Sequence, residues 1–157
     1  MHLKTINKLY KVPTISENNN LSNLSSKRNI SVIIMNYKRP NLLLQSSMIR
    51  TLVLHPYVTE IIICHANIHT IFNNTHLVEE YQIYNSYSNL PTAKTTNTND
   101  SIEIYKNLLE IKMKHINAIE KNDELGLALR FYYCSNHGIT TNEWVLHIDD
   151  DMEIDTT

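Results

Sequence analysis

The chain has 157 residues, a length that fits one domain. Its 14 basic and 16 acidic residues leave a formal charge of −2, which excludes the broad positive field of a non-specific nucleic-acid binder. Only two glycines stand beside 20 asparagines and 20 isoleucines, so there is no Gly-rich phosphate loop, and a bound phosphate has to be held by side chains, a metal or a helix start.

Residues 1–29 are polar and broken, as in Ser16-Glu17-Asn18-Asn19-Asn20, and read as a poorly ordered lead-in. They lack the apolar stretch of a secretory signal. No segment reaches the roughly 18 apolar residues of a membrane-spanning helix, so no membrane segment is expected in this chain.

The folded part is expected over residues 30–157. Ile30-Ser31-Val32-Ile33-Ile34-Met35 is a short, β-branched, nearly all-apolar run, the pattern of a strand covered on both faces. Pro40 suits a first helical turn, and Leu42, Leu43, Met48, Ile49, Leu52 and Val53 continue one helix to about residue 54. Glu60-Ile61-Ile62-Ile63-Cys64 is a second buried strand, which completes a strand–helix–strand unit.

Further along, Glu80-Tyr81-Gln82-Ile83-Tyr84 reads as an outer strand and residues 85–101 as a loop. A helix is expected over 102–111, capped by Asp100 or Ser101, and a short strand over 114–118. A second long helix is expected from Asp123 to residue 135, with Gly138 ending it. Trp144-Val145-Leu146-His147-Ile148 is the last strand and runs straight into Asp149-Asp150-Asp151. Cys64 and Cys134 both lie in apolar runs and read as buried free thiols. His147 reads as a sheet residue, and His115 and His137 have no partner at zinc-ligand spacing.

Strands alternating with helices predict an α/β fold, a mostly parallel sheet flanked by helices on both faces. Ligands in such sheets bind beyond the carboxyl ends of the strands. Three strand ends carry polar groups there: Asn36-Tyr37-Lys38-Arg39, His65-Ala66-Asn67 and the acidic triplet. In an extended chain Asp149 and Asp151 point to one side and Asp150 to the other. Adjacent carboxylates at an apolar sheet mouth repel, and a hard divalent cation, Mn2+ or Mg2+, relieves that repulsion while leaving positions for phosphate oxygens.

Taken in order, the stretches 31–42, 60–67, and 136–151 with Trp144-Val145-Leu146-His147-Ile148-Asp149-Asp150-Asp151 resemble the N-terminal half of a GT-A glycosyltransferase ending in its D-x-D motif. The Tyr37-Lys38-Arg39-Pro40 turn and the Ile148-Asp149-Asp150-Asp151 end look most like the exostosin-type, family 64-like members. The resemblance covers residues 30–154. It implies a Rossmann-like nucleotide-sugar-binding half and a metal-dependent transferase using a UDP-sugar donor and a glycan or glycoprotein acceptor. Tyr37 and Arg39 would flank the base and ribose or reach the diphosphate, and Asn67 would bond the pyrimidine edge. Asp149 and Asp150 would hold the donor, Asp149 and Asp151 the metal, and Arg130 would add a cation. The resemblance further implies a Golgi or ER setting and an acceptor half beyond residue 157. A different class of function is a non-catalytic module with the same half-fold, completed by a partner chain. A phosphatase or response-regulator-like domain would need acids after the first strand, where this chain has Asn36 and Tyr37.

Overall fold

A computed structural model describes residues 29–88, 98–129, 132–133 and 139–150. The lead-in before Asn29, Arg130, Cys134, Gly138 and Asp151 lie outside the described residues. The chain forms an α/β fold with a four-stranded, all-parallel sheet in the order β3-β2-β1-β4. The strands are β1 (Ile30–Asn36), β2 (Val58–His65), β3 (Met113–Asn117) and β4 (Trp144–Asp149). Among the described residues no helix is long and apolar enough to cross a membrane.

Strand alternation sorts the core into two clusters. On one face Val32, Ile34, Ile61, Ile63 and Ile148 pack under helices α1 (Pro40–Gln45), α2 (Ser47–Leu54), α3 (Asn74–Ser88) and α4 (Thr98–Lys112). On the other, Ile33, Ile62 and Cys64 pack against Leu129, Tyr133 and Leu125, the last residue of α5 (Ile119–Leu125). The first is the α2 face of the sheet and the second its α5 face. The connections out of β1 and β2 step outward to β3, and the one out of β3 returns across the sheet to β4. Right-handed crossovers running in opposite directions lie on opposite faces, which accounts for helices on both sides.

The structure departs from the sequence expectations in four places. The helix expected over 40–54 is two helices: Ser46 is extended (φ −66, ψ 149), and its hydroxyl donates to the Leu43 carbonyl, an alternative partner that ends the first helix. The strand expected over 80–84 is the middle of α3. Asn73 Oδ1 accepts from the amides of Thr75 and His76 to start that helix, and Leu77 and Tyr81, one turn apart, are buried, with Tyr81 stacked on Tyr105 of α4. Helix α4 starts at Thr98 rather than 102, inside the expected loop. The helix expected over 123–135 begins earlier, where Asn117 Oδ1 caps the Ile119 amide, and breaks at Gly126, whose φ of +53 leaves the right-handed helical region.

A buried carboxylate ties the amino end of the α5 face together. Glu60 is 3% exposed; it pairs with Lys114 and accepts from the Ser31 hydroxyl and the Thr141 amide. Burial raises its pKa, and bonds from Lys114, Ser31 and Thr141 outweigh this, so the carboxyl titrates below its ordinary value. The folded state therefore binds that proton less readily than the unfolded chain. Its contribution is present above about pH 4.5 and is lost as pH falls through the lower folded value. Glu60→Gln should lower unfolding free energy by about 1–3 kcal/mol at neutral pH, because a buried donor loses its acceptor. Urea denaturation at neutral and acidic pH checks this: the difference between variant and wild type should shrink in acid.

Candidate functional site

Strand β1 sits between the strand it connects to, β2, and the strand reached by the return crossover, β4. The crevice beyond the carboxyl ends of two such strands is where an open parallel sheet receives ligands. A cleft of about 920 Å³ opens there, on the α5 face. Met35 and the turn Tyr37-Lys38-Arg39 form one wall, Asp149 and Asp150 the second, and Asn122, Asp123, Gly126 and Leu129 the third. Register explains the first two walls: Met35 pairs with Asp149 across the β1–β4 ladder, so the end of one strand faces the end of the other.

Arg39 holds these ends together. It is the residue before α1, and its carbonyl accepts from the Leu43 amide while its guanidinium donates to Asp150 at 2.8 Å. The Asp150 side chain is 8% exposed and that of Arg39 51%. The carboxylate is thus desolvated while the cation keeps contact with water, an arrangement that satisfies Asp150 without burying both charges. Lys38 lies over the Tyr37 ring, 4.9 Å from its centroid. Asp149 is partly buried at the end of β4 and lines the cleft beside Asp150.

The cleft walls carry Asp123, Asp149 and Asp150 against Lys38 and Arg39. A bare polyanion entering it meets more carboxylates than cations. An anionic ligand accompanied by a dication does not carry that penalty, because the cation changes the local balance. Among the described residues no group of three or more His, Cys, Asp or Glu is gathered to hold a metal by itself.

Of the sequence-derived site residues, Tyr37, Arg39, Asp149 and Asp150 come together in this cleft. Asn67 does not line it: its Oδ1 accepts from the His69 amide and caps the 3-10 turn Ile68–Thr70. Arg130 and Asp151 lie outside the described residues. Asn122, Asp123 and Gly126 are site residues that sequence reasoning missed, having read Asp123 only as a helix-start charge. The available signal was Gly126 itself, a glycine placed inside an expected helix. A side chain there meets nothing within 4 Å, so the backbone conformation, with φ +53, is what favours glycine.

Of the histidines named from the sequence, His137 lies outside the described residues. His115, which no zinc-spaced residue accompanies, stacks on buried His65 of the next strand. His147 lies in β4 opposite Ile33, partly buried, as expected of a sheet residue.

The chain is an α/β protein with a cleft at the carboxyl edge of its parallel sheet. Comparison with models of known families, with curated proteins and with solved structures finds no match for this chain.

Arg39→Ala should destabilise the fold by about 1–3 kcal/mol, since it leaves the Asp150 carboxylate buried and unpaired. Arg39→Ala combined with Asp150→Ala should cost less than the sum of the two single changes. A double-mutant cycle in urea should give a coupling energy of about 0.5–3 kcal/mol.

Proposed function

We propose that the cleft binds the nucleoside diphosphate of a sugar nucleotide, and that the chain carries the donor half of a metal-dependent, UDP-sugar-using glycosyltransferase of GT-A type. The observation that carries this reading is the meeting of Tyr37, Arg39, Asp149 and Asp150 around one cleft at the β1–β4 crevice. Residues selected on the resemblance, from strand ends more than 100 positions apart in the chain, form a common set of walls.

The chemistry fits these walls. Tyr37 offers an aromatic face for a base or ribose, and Lys38 and Arg39 offer cations for phosphate oxygens. Asp149, with Asp151 following, would hold Mn2+ or Mg2+. Oxygen donors suit such hard ions, which are commonly bound by one or two carboxylates together with substrate phosphates, so a set of three protein ligands is not required. When bound, the ion would offset the charge that collects on the diphosphate as the bond from it to the sugar breaks. Arg39 would orient the donor while keeping Asp150 neutralised, and Asn122 and Asp123 would face the donor from α5.

In titration calorimetry, UDP should release heat with the full chain in the presence of Mn2+ and little without it. Asp149→Ala and Asp151→Ala should each weaken binding by about tenfold or more, roughly 1.4 kcal/mol. Absence of heat with Mn2+ present, or affinity unchanged in both variants, would defeat the reading.

One observation favours a second reading, a module completed by a partner chain. Among the described residues strand β4 pairs only with β1, and on its α2 face Trp144 and Leu146 are 59% and 45% exposed. An uncovered apolar strand edge invites association. Sedimentation analysis separates the two: a monomer at micromolar concentration supports the donor-site reading alone.

A further inference from the structure

On the α2 face, directly behind the Tyr37–Arg39 turn, four polar side chains meet end to end. Asn36 is fully buried; its Nδ2 donates to the Thr70 carbonyl at 2.6 Å and meets His65 Nδ1 at 2.9 Å. His65 is 2% exposed, and its Nε2 meets His115 Nδ1 at 2.9 Å. His115 Nε2 meets Asn74 Oδ1 at 2.9 Å. The two rings stack with planes 6° apart, and Phe72 stands perpendicular to both. Thr70 closes the circuit, its hydroxyl lying 3.2 Å from the Tyr37 carbonyl and 3.0 Å from the Asn67 carbonyl.

The direction of every bond follows from one acceptor. A backbone carbonyl only accepts, so the Thr70 oxygen sets the Asn36 amide with its NH2 group inward. The second N–H of that group points at His65 Nδ1, which must then present a lone pair. A neutral His65 therefore carries its proton on Nε2 and donates to His115 Nδ1. His115 carries its own proton on Nε2 and donates to Asn74. The same logic disfavours a dication bridging the two rings, because His65 Nε2 is already a donor.

We propose that this directed relay is a proton-sensitive positioning device: Asn36, His65, His115 and Asn74 hold the Tyr37–Arg39 turn in place while both imidazoles are neutral, and mild acid loosens it.

Adding a proton to His65 sets Nδ1–H against the Asn36 NH2 group. Adding one to His115 sets Nδ1–H against the Nε2–H of His65. Either change turns an attractive contact into a repulsive one; His115 is exposed, but Asn36 and His65 are buried, and there such a contact is poorly screened. Among the described residues neither ring has a carboxylate partner to offset the charge. On the surrounding elements His76 is bonded to Asn73, Lys112 to the carbonyls of Val53 and His55, and Lys114 to Glu60. Lys38 in the turn and His69 in the 3-10 turn are exposed. Glu79 and Glu80 of α3, Glu110 of α4 and Glu120 of α5 make no bond to either ring.

The energetics run the same way. Burial, and after it the neighbouring ring, push His65 down to about 4, and burial holds His115 below its ordinary value. The unfolded chain takes up these protons first, near pH 6.5. The relay's contribution is therefore complete above that pH and declines as pH falls toward about 4. None of this needs a ligand in the cleft, so it stands apart from the donor-site reading.

The test uses the full chain. Nitrogen NMR of the imidazoles near neutral pH should find both His65 and His115 as the Nε2–H tautomer; an Nδ1–H form at either ring overturns the proposal. Amide exchange, corrected for its intrinsic pH dependence, is then compared near neutral pH and at about pH 5. The amides of residues 37–39 and 66–70 should exchange on the order of tenfold faster in acid, while those in the middle of β1 hold their protection. His115→Asn retains an acceptor opposite His65 and cannot titrate, so it should lose most of that acid response. An absent response in the wild type, or an undiminished one in His115→Asn, overturns the proposal. The wild-type tautomers and exchange rates decide the question even where the variant fails to fold.

Discussion

The structure depends on β1 being covered from four sides. It pairs with β2 along one edge and β4 along the other, and Val32, Ile33 and Ile34 are fully buried between the two helical layers. A strand in that position has no solvent-facing side, which is why its sequence is a nearly all-apolar, largely β-branched run instead of an alternating one. It also leaves the strand only one place to meet water, its ends. The carboxyl end is where Tyr37, Lys38 and Arg39 emerge, and the two ladders decide what they emerge beside. Met35 opposite Asp149 brings the turn to the acidic end of β4, and Asn36 opposite His65 brings it to the polar end of β2. A shift of one residue in either ladder would exchange the two faces and separate these groups.

This constraint explains what was legible in the sequence. Buried parallel strands are apolar throughout, so β1 and β2 stand out from composition alone; β4 is as apolar in sequence although Trp144 and Leu146 are exposed, and the residues following all three are site candidates by position. Arg39, Asp149 and Asp150 were found that way. Helix boundaries were harder because short polar side chains set them. Ser46 divides one expected helix, and Asn73 and Asn117 start two others. In a chain with 20 asparagines, a capping Asn cannot be told from its neighbours by composition. Residues 80–84 misled for a related reason: Tyr81 and Ile83 alternate with polar residues as a strand would. What selects the helix is the pairing of Leu77 and Tyr81 against α4, a tertiary contact.

The third wall of the cleft was beyond reach for the same kind of reason. Asn122 and Asp123 face the sheet end only because the return connection carries α5 across to the opposite face. The His65–His115 contact joins residues 50 positions apart on neighbouring strands and obeys no ligand spacing. Asn67 shows the converse. It lies at a strand end and fits the resemblance by position, yet its side chain is engaged in capping a 3-10 turn.

The two polar systems at the carboxyl edge differ in character, and strand geometry accounts for the difference. Successive side chains leave β1 on opposite faces. Asn36 points toward the α2 face, where helices α1 to α4 exclude water, so polar groups there must be neutral and mutually satisfied. The Asn36 NH2 group and both nitrogens of His65 meet it in a single proton order that runs out to exposed His115, while Asn36 Oδ1 is left without a hydrogen-bond partner among the described residues. The turn after it opens toward the α5 face, where the cleft admits solvent and charge is tolerable: Arg39 remains half-exposed while it pairs with Asp150. Yet both systems grip the same few residues of backbone, the relay through Thr70 and the Tyr37 carbonyl, the ion pair through Arg39 two residues on. A change in protonation at His65 or His115 is thereby felt by the same stretch of backbone that carries Arg39 to Asp150.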